Sequence, residues 1–122
     1  MPRFLFACDS FKGTLSSART AELLAEAAER HFPGCGWAAV PMADGGEGTV
    51  DAVVAATGGE KVTARVDGPL GDPVQAAYGM LPDGGAVIEM AAASGLPLVA
   101  GREDVLAAST LGTGQLVAHA LD

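Results

Sequence analysis

The chain has 122 residues, a formal net charge of −8, 49% hydrophobic residues and only 5% aromatic residues. This length and apolar content are enough for a folded domain and argue against an intrinsically disordered chain. No cluster of lysine or arginine is present to neutralise phosphates or to bind an anionic bilayer, and no apolar run is as long as a membrane span. The composition therefore argues against binding to nucleic acid or to membranes. Cys8 and Cys35 match no disulfide or zinc pattern and are typical of reduced thiols in a cytoplasmic protein.

The first 59 residues alternate between strand and helix patterns. In chain order we predict a strand over residues 3–8, a helix capped by Ser16 or Ser17 that runs to about Phe32, a strand over 37–42, and a helix capped by Thr49 that runs to about Ala56. The order β-α-β-α is typical of a parallel, Rossmann-like sheet, so the predicted fold class is α/β. On the first helix, Ala21, Leu24, Ala28 and Phe32 are expected to face the core.

The pattern changes after Gly58-Gly59. Strands are predicted over 61–67, 74–81 and 86–90, with turns at 68–73 and 82–85 and a last helix from about Gly112 to the end. These strands indicate an antiparallel meander. We therefore predict that residues 1–59 are the first half of a core α/β domain and that residues 60–122 begin a second, inserted α/β domain. No stop signal closes the last helix, so we expect the polypeptide to continue.

The loop after the first predicted strand is the first candidate site. In parallel sheets, ligands bind beyond the carboxyl ends of the strands. This loop offers the carboxylate of Asp9, the hydroxyl of Ser10 and the amine of Lys12, the only lysine in the first half of the chain. Phosphoryl transfer uses these groups. By composition alone, a solvated turn remains the favoured interpretation.

The second candidate is the glycine-rich loop before the second helix. Gly45, Gly46 and Gly48 would let backbone N–H groups at a helix start face a ligand. Asp44 and Glu47 would repel a bare phosphate, so we interpret them as acceptors for substrate hydroxyls, as a general base, or as Mg²⁺ ligands. An acidic helix start that complements the helix dipole explains Glu47 but not the glycines.

The third candidate is the segment that starts the last helix. Thr110, Gly112, Thr113 and Gly114 combine hydroxyls and glycine without an acidic side chain, which suits an anion better than the second loop. An ordinary threonine cap is the alternative. Ser94 lies either in a turn or at a fourth contact.

Several segments, in this order along the chain, resemble the bacterial type-1 glycerate kinase family. They are Asp9–Gly13, Ala43–Thr49, Gly68–Gly71, Ile88–Ala91 with Ala93–Leu96, and Ser109–Thr110 with Gly112–Gly114. Cys8 and Leu111 depart from the family, where proline and an aromatic residue are expected. The resemblance implies transfer of the ATP γ-phosphate, with Mg²⁺, to a hydroxyl of D-glycerate, giving phosphoglycerate. It also implies two α/β domains with the active site in the cleft between them.

The resemblance also implies roles for the candidate residues. Lys12 and Asp44 are expected to be catalytic, and the other candidates to bind substrate or nucleotide: Asp9, Ser10, Gly45, Gly46, Glu47, Ser94, Thr110, Gly112, Thr113 and Gly114. The expected partners are D-glycerate and ATP in the cytoplasm, and a homo-oligomer is compatible with these features. Family members are considerably longer, so the 122-residue chain by itself is expected to be inactive. A non-catalytic ligand-binding α/β fragment is the alternative. A nucleotide-linked oxidoreductase is disfavoured because no GxGxxG follows the first strand.

Overall fold

The computed structural model describes residues 1–122 and has the predicted α/β class. In chain order the elements are β1 (Arg3–Phe6), α1 (Ser17–His31), β2 (Gly36–Ala39), α2 (Thr49–Thr57), β3 (Glu60–Asp67), β4 (Pro73–Met80), β5 (Ala86–Val87), α3 (Ala91–Ser94), a 3₁₀ helix (Leu96–Val99) and α4 (Leu111–Leu121). The β-α-β-α start and the antiparallel meander that follows it are both confirmed.

The chain divides into two compact units, Met1–Asp44 and Gly45–Asp122. Helix α2 contacts β3 and β4 and belongs to the second unit. The predicted boundary after Gly59 concerns the domains of a longer polypeptide, and it stays a prediction.

The first unit is built on two parallel strands. β1 and β2 pair in register from Arg3 opposite Gly36 to Phe6 opposite Ala39, so their carboxyl ends lie at the same edge. Helix α1 connects them, and Ser16 caps it by accepting a hydrogen bond from the backbone N–H of Arg19 at 3.1 Å. A side-chain acceptor at this position satisfies one of the helix's otherwise unpaired N–H groups. Ser16, one of the two predicted caps, is thus confirmed.

The buried face of α1 differs from the prediction. Thr20, Ala25 and Ala28 are buried, whereas Leu24 is 37% exposed and Phe32 is 49% exposed. The prediction for Leu24 was wrong, because the buried stripe of the helix runs through Thr20, Ala25 and Ala28. Phe32 is half-exposed, but its ring packs against that of Phe4 on β1, with 5.5 Å between the ring centroids.

The second unit is built on the meander. β3 pairs antiparallel with β4 from Glu60 opposite Met80 to Asp67 opposite Pro73. β5 pairs with β4 through only two residues, which is shorter than the predicted strand over 86–90. Beyond Val87 the chain leaves the ladder for α3, and the side chain of Glu89 bonds to the backbone of α2 instead. Neither α3 nor the 3₁₀ helix was predicted.

Helix α4 covers this sheet and forms the core of the unit. Leu116 is completely buried, and the other members of the cluster are Ala64, Val66, Ala76, Tyr78 and Ala93. Gln115 ties the helix to the end of β3, since its Oε1 accepts the N–H of Asp67 at 2.7 Å and its Nε2 donates to Asp67 Oδ2 at 3.0 Å. This reciprocal pair fixes the start of α4 relative to the turn that follows β3.

Two further expectations concern the whole chain. Cys8 is half-buried and Cys35 is buried, and neither forms a disulfide. None of the helices combines the length and apolar character needed to cross a bilayer.

Candidate functional site

The first candidate loop, which follows β1, contains a tight turn with Lys12 near its tip. The N–H of Phe11 donates to the carbonyl of Leu15 at 2.8 Å, and the N–H of Thr14 donates to the carbonyl of Phe11 at 2.9 Å. Gly13 has a φ of +75°, a left-handed conformation that glycine adopts without strain. Lys12 is exposed. The turn therefore presents the ammonium group of Lys12 to solvent at the carboxyl edge of the sheet.

Asp9 and Ser10 lie between β1 and this turn. The N–H of Ser10 donates to Asp9 Oδ1 at 2.6 Å, and Asp9 is exposed. The local bond orients the carboxylate and leaves its second oxygen for another partner. Their predicted role in ligand binding stays a prediction.

Ser17 joins the chain segments that leave β1 and β2, and sequence reasoning considered it only as a helix cap. Its hydroxyl donates to the carbonyl of Cys8 at 2.6 Å and accepts from the N–H of Met42 at 3.3 Å. These backbone groups bond to Ser17 and not to each other, which is why the strands end before the predicted limits of residues 8 and 42. Asp44 follows two residues after Met42, so both candidate segments of the first unit leave the same edge of the sheet.

At least two positions of the glycine-rich loop have a backbone conformation that favours glycine. Gly45 has a φ of +98° and Gly48 a φ of +91°, and neither has an atom within 4 Å of the place where a Cβ would stand. Gly48 is the N-cap of α2 and Thr49 its first residue, so the prediction that Thr49 caps the helix was wrong. A glycine has no side-chain oxygen, and the helix therefore needs a capping acceptor from elsewhere.

Glu89 supplies that acceptor from the far end of the meander. Its Oε2 accepts the N–H of Val50 at 2.9 Å, and its Oε1 accepts the N–H of Gly48 at 3.4 Å. A carboxylate at this position also interacts favourably with the helix dipole. The N–H groups that could have faced a phosphate are already bonded to an anion. This helix start consequently does not fit a phosphate, in agreement with the interpretation of the loop as acidic.

The hydroxyl of Thr49 lies beside this cap, buried and without a hydrogen-bond partner. We expect Thr49→Val to leave the free energy of unfolding unchanged or to raise it by up to about 1 kcal/mol, because it removes an unsatisfied polar group at nearly constant volume. Urea denaturation measures the change. In the control Thr57→Val, the lost hydroxyl donates to the carbonyl of Val53 at 2.7 Å, so we expect stability to fall slightly. A loss of more than about 1 kcal/mol in Thr49→Val would show that the hydroxyl has a partner in solution.

The third candidate segment brings two predicted residues together. Ser94 Oγ and Thr113 Oγ1 lie 2.7 Å apart, and both residues are half-buried. Thr110 occupies the N-cap position of α4 but its side chain makes no capping bond; Ser109 Oγ accepts the N–H of Leu111 at 3.1 Å instead. The ordinary threonine cap is thus not what the structure shows, and the hydroxyl of Thr110 remains available at an exposed position.

The two glycines at the start of α4 differ in their surroundings. A Cβ on Gly112 would lie 1.7 Å from the carbonyl oxygen of Asp67, whereas a Cβ on Gly114 would have no neighbour within 4 Å. Close packing of α4 against β3 therefore accounts for glycine at position 112 without any ligand. Gly114 leaves open space beside the first turn of the helix. The ligand role of both residues stays a prediction.

The candidate segments differ in whether their side chains suit an anion or a divalent cation. The start of α4 carries hydroxyls and no acidic side chain, so it fits a phosphate or a carboxylate better than the start of α2 does. Asp44 and Glu47 provide exposed carboxylates of the kind that bind Mg²⁺ when substrate phosphates complete its shell. No group of three acidic, histidine or cysteine side chains is arranged to hold a metal ion.

The parallel βα start and the antiparallel meander that follows it define an α/β protein. The sequence profile of the Glycerate kinase family matches residues 4–122, and the chain belongs to this family. It is 48% identical to a glycerate kinase of Bacillus subtilis (strain 168) and 46% identical to a glycerate 2-kinase of Escherichia coli (strain K12), each over 98% of the chain and 32% of the relative.

A solved structure agrees with this assignment. The crystal structure of a putative glycerate kinase 2 from Salmonella typhimurium LT2 superposes with a TM-score of 0.75 at 44% identity, over the whole of this chain and 34% of that one. The chain thus spans about a third of the length of the relatives it matches.

Proposed function

We propose that the full-length protein is an ATP-dependent kinase that phosphorylates a hydroxyl of D-glycerate. The observation that carries the proposal is the family match over residues 4–122, together with relatives named glycerate kinase at 44–48% identity. The Escherichia coli relative is named glycerate 2-kinase, which favours the 2-hydroxyl as the acceptor.

The charge distribution of the chain supports a role for Lys12 at the transferred phosphate. The net charge is −8, and the chain has only two lysines, Lys12 and Lys61. Lys61 bonds to Asp51 at 2.5 Å, whereas Lys12 is presented at the tip of an exposed turn. Phosphoryl transfer spreads negative charge over the equatorial oxygens of the transition state, and a fixed cation stabilises that charge.

Asp44 is the proposed acceptor for the proton of the substrate hydroxyl. As the glycerate oxygen bonds to the γ-phosphorus and ADP leaves, the hydroxyl proton passes to the Asp44 carboxylate. Bound Mg²⁺ would neutralise part of the phosphate charge, with Asp44 or Glu47 as its protein ligand. Gly45 and Gly46 lack side chains, which supports the proposal that the backbone of this acidic turn approaches the substrate.

The remaining predicted residues are proposed to bind the two substrates. The hydroxyl pair of Ser94 and Thr113, with Thr110 and Gly114 at the start of α4, offers donors to an anionic group. Either the phosphates of ATP or the carboxylate of glycerate satisfies this chemistry. We place the protein in the cytoplasm, with these two small molecules as its partners.

The role of Asp44 is tested by Asp44→Asn in the full-length protein. We expect kcat for glycerate phosphorylation to fall about a hundredfold or more at saturating Mg²⁺, because the amide cannot take up the proton. The matched control is Asp83→Asn, since Asp83 Oδ1 only accepts the N–H of Gly85 in the β4–β5 turn, at 2.9 Å. Full turnover of Asp44→Asn would remove Asp44 from both proposed roles.

A further inference from the structure

Glu89 is half-buried and comes from a part of the chain far from the helix that it caps. It lies between β5 and α3, 39 residues after Val50, yet its two carboxylate oxygens accept the N–H groups of Gly48 and Val50. Hydrogen bonds to an ionised acceptor are stronger than neutral ones. The side chain therefore connects the far end of the meander to the carboxyl end of the glycine-rich loop.

The loop held by Glu89 contains two glycines whose conformational freedom is lost when the loop is held in one conformation. Gly45 and Gly48 adopt left-handed backbone conformations in open surroundings, and glycine loses much conformational freedom when it is held in one conformation. Helix α2 itself is placed firmly, because a Cβ on Gly79 of β4 would lie 2.5 Å from the Val54 side chain. The hydrogen bonds of Glu89 thus fix the turn that carries Glu47 relative to helix α2 and the sheet.

The geometry points to Glu89 as a positioning residue that holds the glycine-rich loop in the conformation used for catalysis. Its carboxylate is occupied by backbone N–H groups, so it acts through the loop and not on the substrate. This role rests on the proposed kinase function, because it assumes that the loop presents its acidic groups to the substrate. Preorganisation of this kind raises turnover, since a small displacement of reacting groups lowers the rate strongly.

The test compares Glu89→Ala and Glu89→Gln with the wild type in the full-length protein. For Glu89→Ala we expect hydrogen–deuterium exchange of the peptide covering residues 45–52 to become about tenfold to a hundredfold faster, because its N–H groups lose a charged acceptor. The kcat/KM for glycerate should fall about tenfold to a hundredfold at a temperature where the protein stays folded by circular dichroism. Glu89→Gln keeps one acceptor oxygen and should recover part of both effects.

The control is Asp104→Ala, which removes a carboxylate of similar chemistry from an exposed turn. Asp104 Oδ1 accepts the N–H groups of Leu106 and Ala107, both at 3.1 Å. The rate of hydrogen–deuterium exchange at residues 106–107 should rise, while kcat/KM stays at the wild-type value. An equal loss of activity in this control would overturn the positioning role, because any lost backbone cap would then have the same effect.

The remaining outcomes separate the two proposals. Unchanged exchange at residues 45–52, or wild-type kcat/KM in Glu89→Ala, overturns the positioning role and leaves the kinase proposal standing. Should Glu89→Ala not fold, Glu89→Gln decides, and wild-type behaviour in both measurements overturns the role. A wild-type protein that does not phosphorylate D-glycerate overturns the proposed function and the catalytic part of this inference; the exchange measurement still decides whether Glu89 holds the loop.

Discussion

Replacing Lys12 by alanine is expected to lower kcat/KM for glycerate phosphorylation by a factor of about a hundred to a thousand. A single preorganised group that stabilises charge in the transition state has an effect of this size. The loss should appear mainly in kcat, because the charge on the transferred group is spread most widely in the transition state. Steady-state kinetics of the full-length protein with varied D-glycerate and MgATP measures both parameters.

The matched control for Lys12 is the other lysine of the chain. Lys61 lies on β3 and bonds to Asp51, with half of its side-chain surface exposed. Exposed ion pairs of this kind contribute about 1 kcal/mol or less to stability. Lys61→Ala should therefore leave the kinetics unchanged. Similar kinetics for the Lys12 and Lys61 variants would remove Lys12 from the mechanism.

Gly112→Ala is expected to cause the largest loss of stability among single substitutions at the predicted site residues. The added Cβ would stand 1.7 Å from the carbonyl oxygen of Asp67, a backbone atom that cannot rotate away. Helix α4 would have to move off β3, disturbing the packing of the fully buried Leu116. We expect the free energy of unfolding to fall by about 3 kcal/mol, as urea denaturation would measure it.

Gly114→Ala provides the control two residues along the same helix. Its Cβ would meet no atom within 4 Å, and alanine favours the helix over glycine. The free energy of unfolding should therefore rise by about 0.5–1 kcal/mol. Equal losses in the two variants would contradict the close packing of α4 against β3 at Gly112.

The fold was predictable from the sequence where a pattern is local. The Ser16 cap, the parallel start and the meander each follow from residues a few positions apart. Strand ends were less predictable, because Ser17 bonds to the carbonyl of Cys8 and the N–H of Met42, and helical periodicity does not reveal such contacts. The buried stripe of α1 runs through Thr20, Ala25 and Ala28 and not through Leu24, and the apolar pattern of the helix alone did not separate these positions.

The candidate site also divides into features that follow from local patterns and features that depend on contacts between distant residues. Its loops could be found from glycines and polar groups at the ends of predicted strands. Glu89 lies in a segment that resembles the family, but its contact with α2 could not be predicted, because its bonds join residues about 40 positions apart. Close packing against Asp67 is a structural reason for glycine at position 112 that the sequence did not reveal. The structure shows which of the predicted residues have a structural role, such as Gly112 in packing and Gly45 and Gly48 in the backbone turn, and the ligand-binding roles stay predictions.

The most direct test of the account is to incubate the full-length protein with D-glycerate and MgATP and to identify the product by ³¹P NMR. We expect stoichiometric formation of ADP and phosphoglycerate, with the phosphate on the 2-hydroxyl, and product formation about a hundredfold to a thousandfold slower with Lys12→Ala. Folded wild-type protein that leaves D-glycerate unphosphorylated would contradict the kinase proposal, and a product phosphorylated on the 3-hydroxyl would contradict the proposed position.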